Sequence, residues 1–175
     1  MGKDAPIILI LDASVLINFL CIGRTDLLQQ HPASIVITEH VTDEVTRAYP
    51  NELGALTAAK NAGIVKELQI TELAEIALMG SIRTRPGGKR LGVGECSAIA
   101  VAVSRGYELG IDDEPAIKQI QSLKLNVKVH RTRDIMVALI QVGHLSVQEA
   151  DAIKTDWETN HRFRQKFKSF GELLT

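Results

Sequence analysis

Cysteine, aromatic residues and net charge are all scarce in this chain of 175 residues, and each scarcity removes a class of protein. Cys21 and Cys96 stand far apart and in no metal-like spacing, so a disulfide framework is not expected and a reducing cytoplasm is the default. The five histidines (His31, His40, His130, His144, His161) show no HxH or HExxH pattern, which argues against zinc. Aromatics make up only 4% of the chain, weak support for a base-stacking platform. With 20 Lys+Arg against 21 Asp+Glu, there is no global basic field, and any contact with nucleic acid must be local. Low-complexity tracts, repeats and long charge runs are also missing. A single domain over residues 1–175 is expected, with its core at about 7–140 and a C-terminal helical extension at about 141–175.

A membrane segment is not expected either. The most apolar stretch, residues 5–23, holds Asp12 and Asn18, and one central Asp costs roughly 2.5–3.5 kcal/mol on insertion scales. That stretch lacks a small-x-small cleavage site. Pro6 stands where a myristoylation signal wants Ser or Thr. The expectation is a soluble, cytoplasmic protein.

What remains is a regular alternation. "PIILIL", "SIVIT", "IVKELQI", "YELGI" and "VKVH" are short apolar runs of strand type. Helical patterns separate them: the segment through about Gly23, "EHVTDEVTRAYP" stopped by Pro50, "NELGALTAAKNAG", "TELAEIALMGSI", "ECSAIAVAVSRG" with Gly106 at its C-cap region, and "DDEPAIKQIQSLK". "TRDIMVALIQVGH" and "SVQEADAIKTDWETN" follow, the second opening with Ser146 and Glu149 spaced as a capping box. Buried strands alternating with helices predict an α/β fold, a Rossmann-like three-layer domain with a central, mainly parallel sheet. Sites in such sheets form just beyond the carboxyl ends of the strands.

Acidic residues arrive at that edge from separate parts of the sequence. Asp12 directly follows "IILIL", and Asp112 and Asp113 follow "YELGI". Glu95 opens a helix after "GVG", and Glu44 lies with Val41 and Val45 on the inward face of the helix after "SIVIT". Each also has a purely structural reading. Asp12 can be a helix N-cap, Asp112 or Asp113 can cap the next helix, Glu95 suits a helix start, and Glu44 can be a solvated helix charge. Convergence favours chemistry. Carboxylates facing one another raise each other's pKa unless a cation joins them, and the natural partner is a hard oxygen-bound ion, Mg²⁺ or Mn²⁺. Such an ion suits phosphodiester hydrolysis.

Three segments, "ILDASVLINFLCIGRTDLL", "VITEHVTDEV" and "LGVGECSAIAVAVSRGYELGIDDEPA", resemble the PIN-domain nucleases over about residues 7–140, with a weaker echo in "HRFRQKFKSFGELL". The nearest likeness is to the VapC-like toxin subgroup with LGxGE and DD motifs. The resemblance implies a Mg²⁺- or Mn²⁺-dependent endoribonuclease that leaves 5′-phosphate and 3′-hydroxyl ends, an antitoxin protein as partner, and pairing into homodimers. It implies Asp12, Glu44, Glu95 and Asp112 as catalytic metal-holding acids, with Asp113 the reserve for the last. Ser14 matches a small hydroxyl that orients a ligand or bound water, and equally suits a bond within the first helical turn. Glu95 replaces the Asp of many relatives, and Ile111-Asp112-Asp113 replaces a Thr-x-Asp pattern.

The densest basic cluster beside these acids is "RTRPGGKR", which offers Arg83, Arg85, Lys89 and Arg90 to RNA phosphates. Arg131 and Arg133 could reach the same backbone. The tail residues Arg162, Arg164, Lys166 and Lys168 alternate with Phe163 and Phe167, and an amphipathic helix with its phenylalanines on the core is expected there. Cys96 reads as a small packing residue. An aspartyl-phosphate phosphatase would need an acid where Ser14 stands, and a receiver domain would need its acids in a different order. A catalytically weak PIN-fold module that binds nucleic acid or protein is the remaining alternative.

Overall fold

The computed structural model describes residues 6–83 and 90–174. Five strands form one sheet, all parallel, in the order β3-β2-β1-β4-β5. They are β1 (Ile8–Leu11), β2 (Ser34–Thr38), β3 (Val65–Leu68), β4 (Glu108–Gly110) and β5 (Val129–His130). Central strand β1 shows why the run is unbroken. Leu9 and Leu11 enter one core and Ile10 the other, and all three are almost fully buried. A strand covered on both faces has no polar side to display.

Helices cover the two faces. On the Leu9/Leu11 face pack α1 (Ala13–Leu20), α2 (Thr25–Gln30), α3 (Glu39–Ala48), α4 (Leu53–Asn61), α8 (Thr132–Gln141) and α9 (Val147–Asn160). On the Ile10 face pack α5 (Leu73–Arg83), α6 (Val93–Arg105) and α7 (Glu114–Ser122). Strand order reverses between β1 and β4, and the helices that follow these two strands leave to opposite faces, α1 to one and α7 to the other. A crevice opens where two such helices diverge.

Local signals account for the boundaries. Asp12 caps α1, Thr38 caps α3 and Asp113 caps α7, each accepting a bond from a backbone N–H of its own first turn. Ser146 and Glu149 form the expected capping box of α9, and Gly106 ends α6 at φ 68°, a left-handed conformation without a Cβ penalty. Among the described residues no helix is long and apolar enough to cross a membrane.

The tail departs from expectation. Residues 161–169 form no helix but run along the surface with alternating exposure: Arg162, Arg164, Lys166 and Lys168 face out, while Phe163 and Phe167 pack on the core. Basic residues two apart fit an extended chain, whose side chains alternate, and not a helix of 3.6-residue period. A short 3₁₀ turn (Phe170–Leu173) closes the described chain, with Phe170 fully buried.

Candidate active site

A cavity of about 580 Å³ occupies the crevice. Six acids line it, Asp12, Glu44, Glu52, Glu95, Asp112 and Asp113, with Ser14, Asn18, Tyr49 and the tail residues His161, Arg162 and Phe163. All five acids singled out from sequence therefore meet in one place, from four separate stretches of chain.

Asp12 is its most unusual member. Only 1% of it is exposed; one oxygen, Oδ2, accepts from the Ser14 N–H at 3.1 Å, and the other, Oδ1, is buried without a hydrogen-bond partner. Burial raises its pKa to about 6, opposed by the Ser14 bonds and reinforced by the negative charge of Glu44. Asp12 is thus both the helix cap and an acid with an idle oxygen.

Asp112 is held differently. Its Oδ1 accepts from the Thr132 N–H at 3.1 Å, and its Oδ2 from the Thr132 hydroxyl at 2.6 Å and the Asn18 amide at 3.2 Å. Burial raises its pKa, and the two Thr132 bonds oppose the rise. Ser14 Oγ accepts from the Asp112 N–H at 3.0 Å, which ties the end of β4 to the first turn of α1. Asp113 gives its Oδ1 to the Ala116 N–H at 3.0 Å. Of the neighbouring aspartates, Asp112 takes the inner network and Asp113 the cap.

Glu44 is brought in by α3, whose Val41 and Val45 are fully buried. Burial raises its pKa, and the charge of Glu95 adds to the rise. Gly94 makes room for it, since a Cβ there would overlap Glu44 Oε2. A relay fixes this junction. Ser97 donates to the Gly94 carbonyl at 2.6 Å, so Thr38 donates to Ser97, at 2.6 Å, while accepting from the Val41 N–H. Glu95 reaches back to the Gly92 N–H at 2.8 Å, closing the first turn of α6. Glu95 and Glu44 oxygens both come within 4 Å of the point where a Gly92 Cβ would stand.

The acids share a cavity but not a single point. Among the described residues, no three His, Cys, Asp or Glu side chains stand close enough together to hold one metal ion. Asp112, Asp113 and Glu95 instead take hydrogen-bond donors beside them. The donor set still fits a hard cation. Mg²⁺ is commonly held by one or two carboxylates and keeps several waters, and the buried, unpartnered Oδ1 of Asp12 is such a ligand. No salt bridge engages Asp12, Glu44, Asp112 or Asp113 among the described residues.

Arg83 ends α5 and lines a second cavity with Glu39, His40 and Cys96, not the acid-lined one; Arg90 is exposed, and Arg85 and Lys89 lie outside the described residues. Arg131 pairs with Glu114 at 2.6 Å, and Arg133 approaches Asp134, so neither enters the cavity. Cys96 is fully buried and its thiol is pushed up to about 11, consistent with packing alone.

Five contributors were not expected at the site from sequence: Asn18, Thr132, Tyr49, Glu52 and Arg162. Asn18 carried a signal, since a buried amide in an apolar helix needs partners. It donates to the Ser14 carbonyl, Thr132 Oγ1 and Asp112 Oδ2, and its own carbonyl accepts from the Trp157 indole at 2.7 Å.

The parallel α/β sheet gathers its acids at the topological switch point, where such folds place their sites. A PIN-domain family model matches residues 8–167, and the chain belongs to the PIN-domain family. Members of that family are in general nucleases that use divalent metal ions. Among solved structures, PAE2754 from Pyrobaculum aerophilum is similar in fold, with a TM-score of 0.54, 17% identity, and coverage of 77% of this chain and 90% of that one. No curated protein matches the chain significantly in sequence.

Proposed function

We propose that the protein is a Mg²⁺- or Mn²⁺-dependent endoribonuclease, acting in the cytoplasm as the toxin of a toxin–antitoxin pair and working as a homodimer. The observation that carries the chemistry is the idle oxygen of Asp12, buried in a cavity of six acids. The toxin role, the antitoxin and the dimer rest on the resemblance of the "LGVGE" and "IDD" segments to the toxin subgroup.

Asp12 would hold the ion directly, with Glu44, Glu95 and Asp112 around it. A bound divalent cation supplies charge neutralisation at phosphorus and a route to hydroxide at neutral pH. The chain does the rest. Asn18 and Thr132 fix the Asp112 carboxylate, and Ser14 links the two acids, its N–H donating to the Asp12 carboxylate and its hydroxyl oxygen accepting from the Asp112 N–H. Gly94 leaves space for the Glu44 carboxylate.

The test is incubation with single-stranded RNA in millimolar MgCl₂ or MnCl₂, against the same mixture in EDTA. Cleavage to 5′-phosphate ends, only with metal, is the expected result. Millimolar Mn²⁺ should also raise the melting temperature, since a ligand of the folded state alone stabilises it by mass action. Absence of both cleavage and calorimetric Mn²⁺ binding overturns the reading and leaves the inert PIN-fold module. The capping bonds of Glu95 and Asp113 are what favour that alternative.

Gly94→Ala provides a finer check. Alanine gains about 1 kcal/mol of helix propensity, and the clash falls on the mobile end of Glu44, so the melting temperature should stay close to wild type. Displacing the Glu44 carboxylate should cost roughly ten- to a hundredfold in cleavage rate. Unchanged cleavage would show that the position of Glu44 does not matter.

A further inference from the structure

Apart from His161, which faces Asp156 at 3.7 Å, the acidic cavity has one basic residue among its described lining, Arg162, and that residue belongs to the tail rather than to the sheet. Three features set it apart. It makes no salt bridge among the described residues, although six carboxylates line the same cavity, so it does not serve to neutralise them. It is exposed, and therefore available. Its backbone sits at φ 55°, a left-handed conformation that is unfavourable for any residue with a Cβ.

That conformation is imposed from both sides. The N–H groups of His161 and Phe163 both donate to the Trp157 carbonyl at 3.1 Å, turning the chain sharply at Arg162. The Phe163 ring packs edge-on against the buried Trp157, with centroids 5.4 Å apart. Gln165 N–H then bonds Glu158 at 3.0 Å, fixing the departing chain. Strained non-glycine residues persist where the surroundings over-determine them, and they cluster at working sites. A glycine would turn here without strain, yet the chain carries an arginine.

The cavity lining is mixed. Beside its six carboxylates it carries Ile17, Cys21, Tyr49 and Phe163, so apolar and aromatic surface is offered in the same cavity as Arg162. A nucleotide presents the matching pair of surfaces, an anionic phosphate and a flat apolar base. We propose that Arg162 is a substrate-binding residue, gripping a backbone phosphate of single-stranded RNA next to the one held over the acids, with the adjoining base against Tyr49 and Phe163. This rests on the ribonuclease reading. A guanidinium with no carboxylate partner is free for charge-assisted bonds to phosphate oxygens.

The experiment is fluorescence anisotropy with a labelled single-stranded oligoribonucleotide, titrated at several salt concentrations. The full chain carries Asp12→Asn in every case so that RNA survives, and Arg162→Gly, Arg162→Lys and Arg164→Ala are compared on that background. Arg162→Gly should weaken binding roughly five- to tenfold and lower the slope of log affinity against log salt by about 0.7, one phosphate contact on a single strand. Arg162→Lys should keep most of the slope. Arg164, exposed and outside the cavity, controls for general charge loss, and its replacement should leave the slope unchanged. The melting temperature of Arg162→Gly should equal or exceed its parent, because glycine accepts the positive φ; a loss of binding is then not a loss of fold.

Equal affinity and slope with and without Arg162 would overturn the inference, as would an equal effect from Arg164→Ala. If Arg162→Gly lowers the slope while Asp12→Asn alone still cleaves RNA, the phosphate contact stands and the assignment of Asp12 falls. If the chain binds no RNA, both fall together.

Discussion

Asp12→Asn is expected to abolish RNA cleavage, by at least about a thousandfold, while the protein melts at the same temperature or higher at neutral pH. Asparagine caps a helix as well as aspartate does, so α1 keeps its start. What is lost is the charged oxygen, and that charge is unfavourable to the fold. With a folded pKa of about 6 against an ordinary aspartate value of 3.8, Asp12 contributes stability fully below pH 3.8 and loses it as pH rises through about 6. The difference amounts to about 3 kcal/mol at neutral pH. Melting curves from pH 4 to 8 in EDTA should therefore show wild type losing ground to Asp12→Asn across that window. Adding Mn²⁺ at pH 7 should restore wild type and leave the variant unmoved. Parallel pH profiles for the two proteins, or full activity in the variant, would sink the role given to Asp12.

Trp157→Ala should cause the largest loss of stability, about 3–5 kcal/mol from packing alone. The ring is fully buried between Phe19, at 6.1 Å, and Phe163, at 5.4 Å. A domain of this size is stable by only about 5–15 kcal/mol in all, so much of that margin would go. Trp157→Phe separates packing from polarity. It keeps most of the ring volume but removes the indole bond to the Asn18 carbonyl, for a loss of about 1–2 kcal/mol. Asn18 also positions Asp112, so the milder variant should lower cleavage out of proportion to its stability. Urea denaturation and initial rates measure the two effects, and a Trp157→Phe protein as active and stable as wild type would disprove the link.

Much of this was legible in order along the chain. Strand β1 announced itself as an apolar run ending in an acid, and Asp12 stands where that run stops. The capping residues Ser146 and Glu149, and Gly106 at the end of α6, behave as their spacing indicated. The choice of Asp112 over Asp113 for the inner network follows from structure alone, because both have cap chemistry and only one is needed to start α7. Asn18 was visible but misread: counted as a polar interruption of an apolar stretch, it turns out to bridge α1 to Asp112 and Thr132. The tail is the reverse case: a helix is expected there, and the chain is extended, because bases two residues apart fall on one side only in an extended chain.

The sequence by itself determined the elements, their caps and the acids at their ends, because apolar period and end-capping act over a few neighbouring residues. Only the tertiary structure decided which ends meet. The sheet order that sets β1 beside β4, the Thr132 hydroxyl on Asp112, and the turn that carries Arg162 into the cavity join residues 20 to 150 positions apart. Such pairings are selected by the burial of two whole cores at once, and no local stretch of chain carries that information.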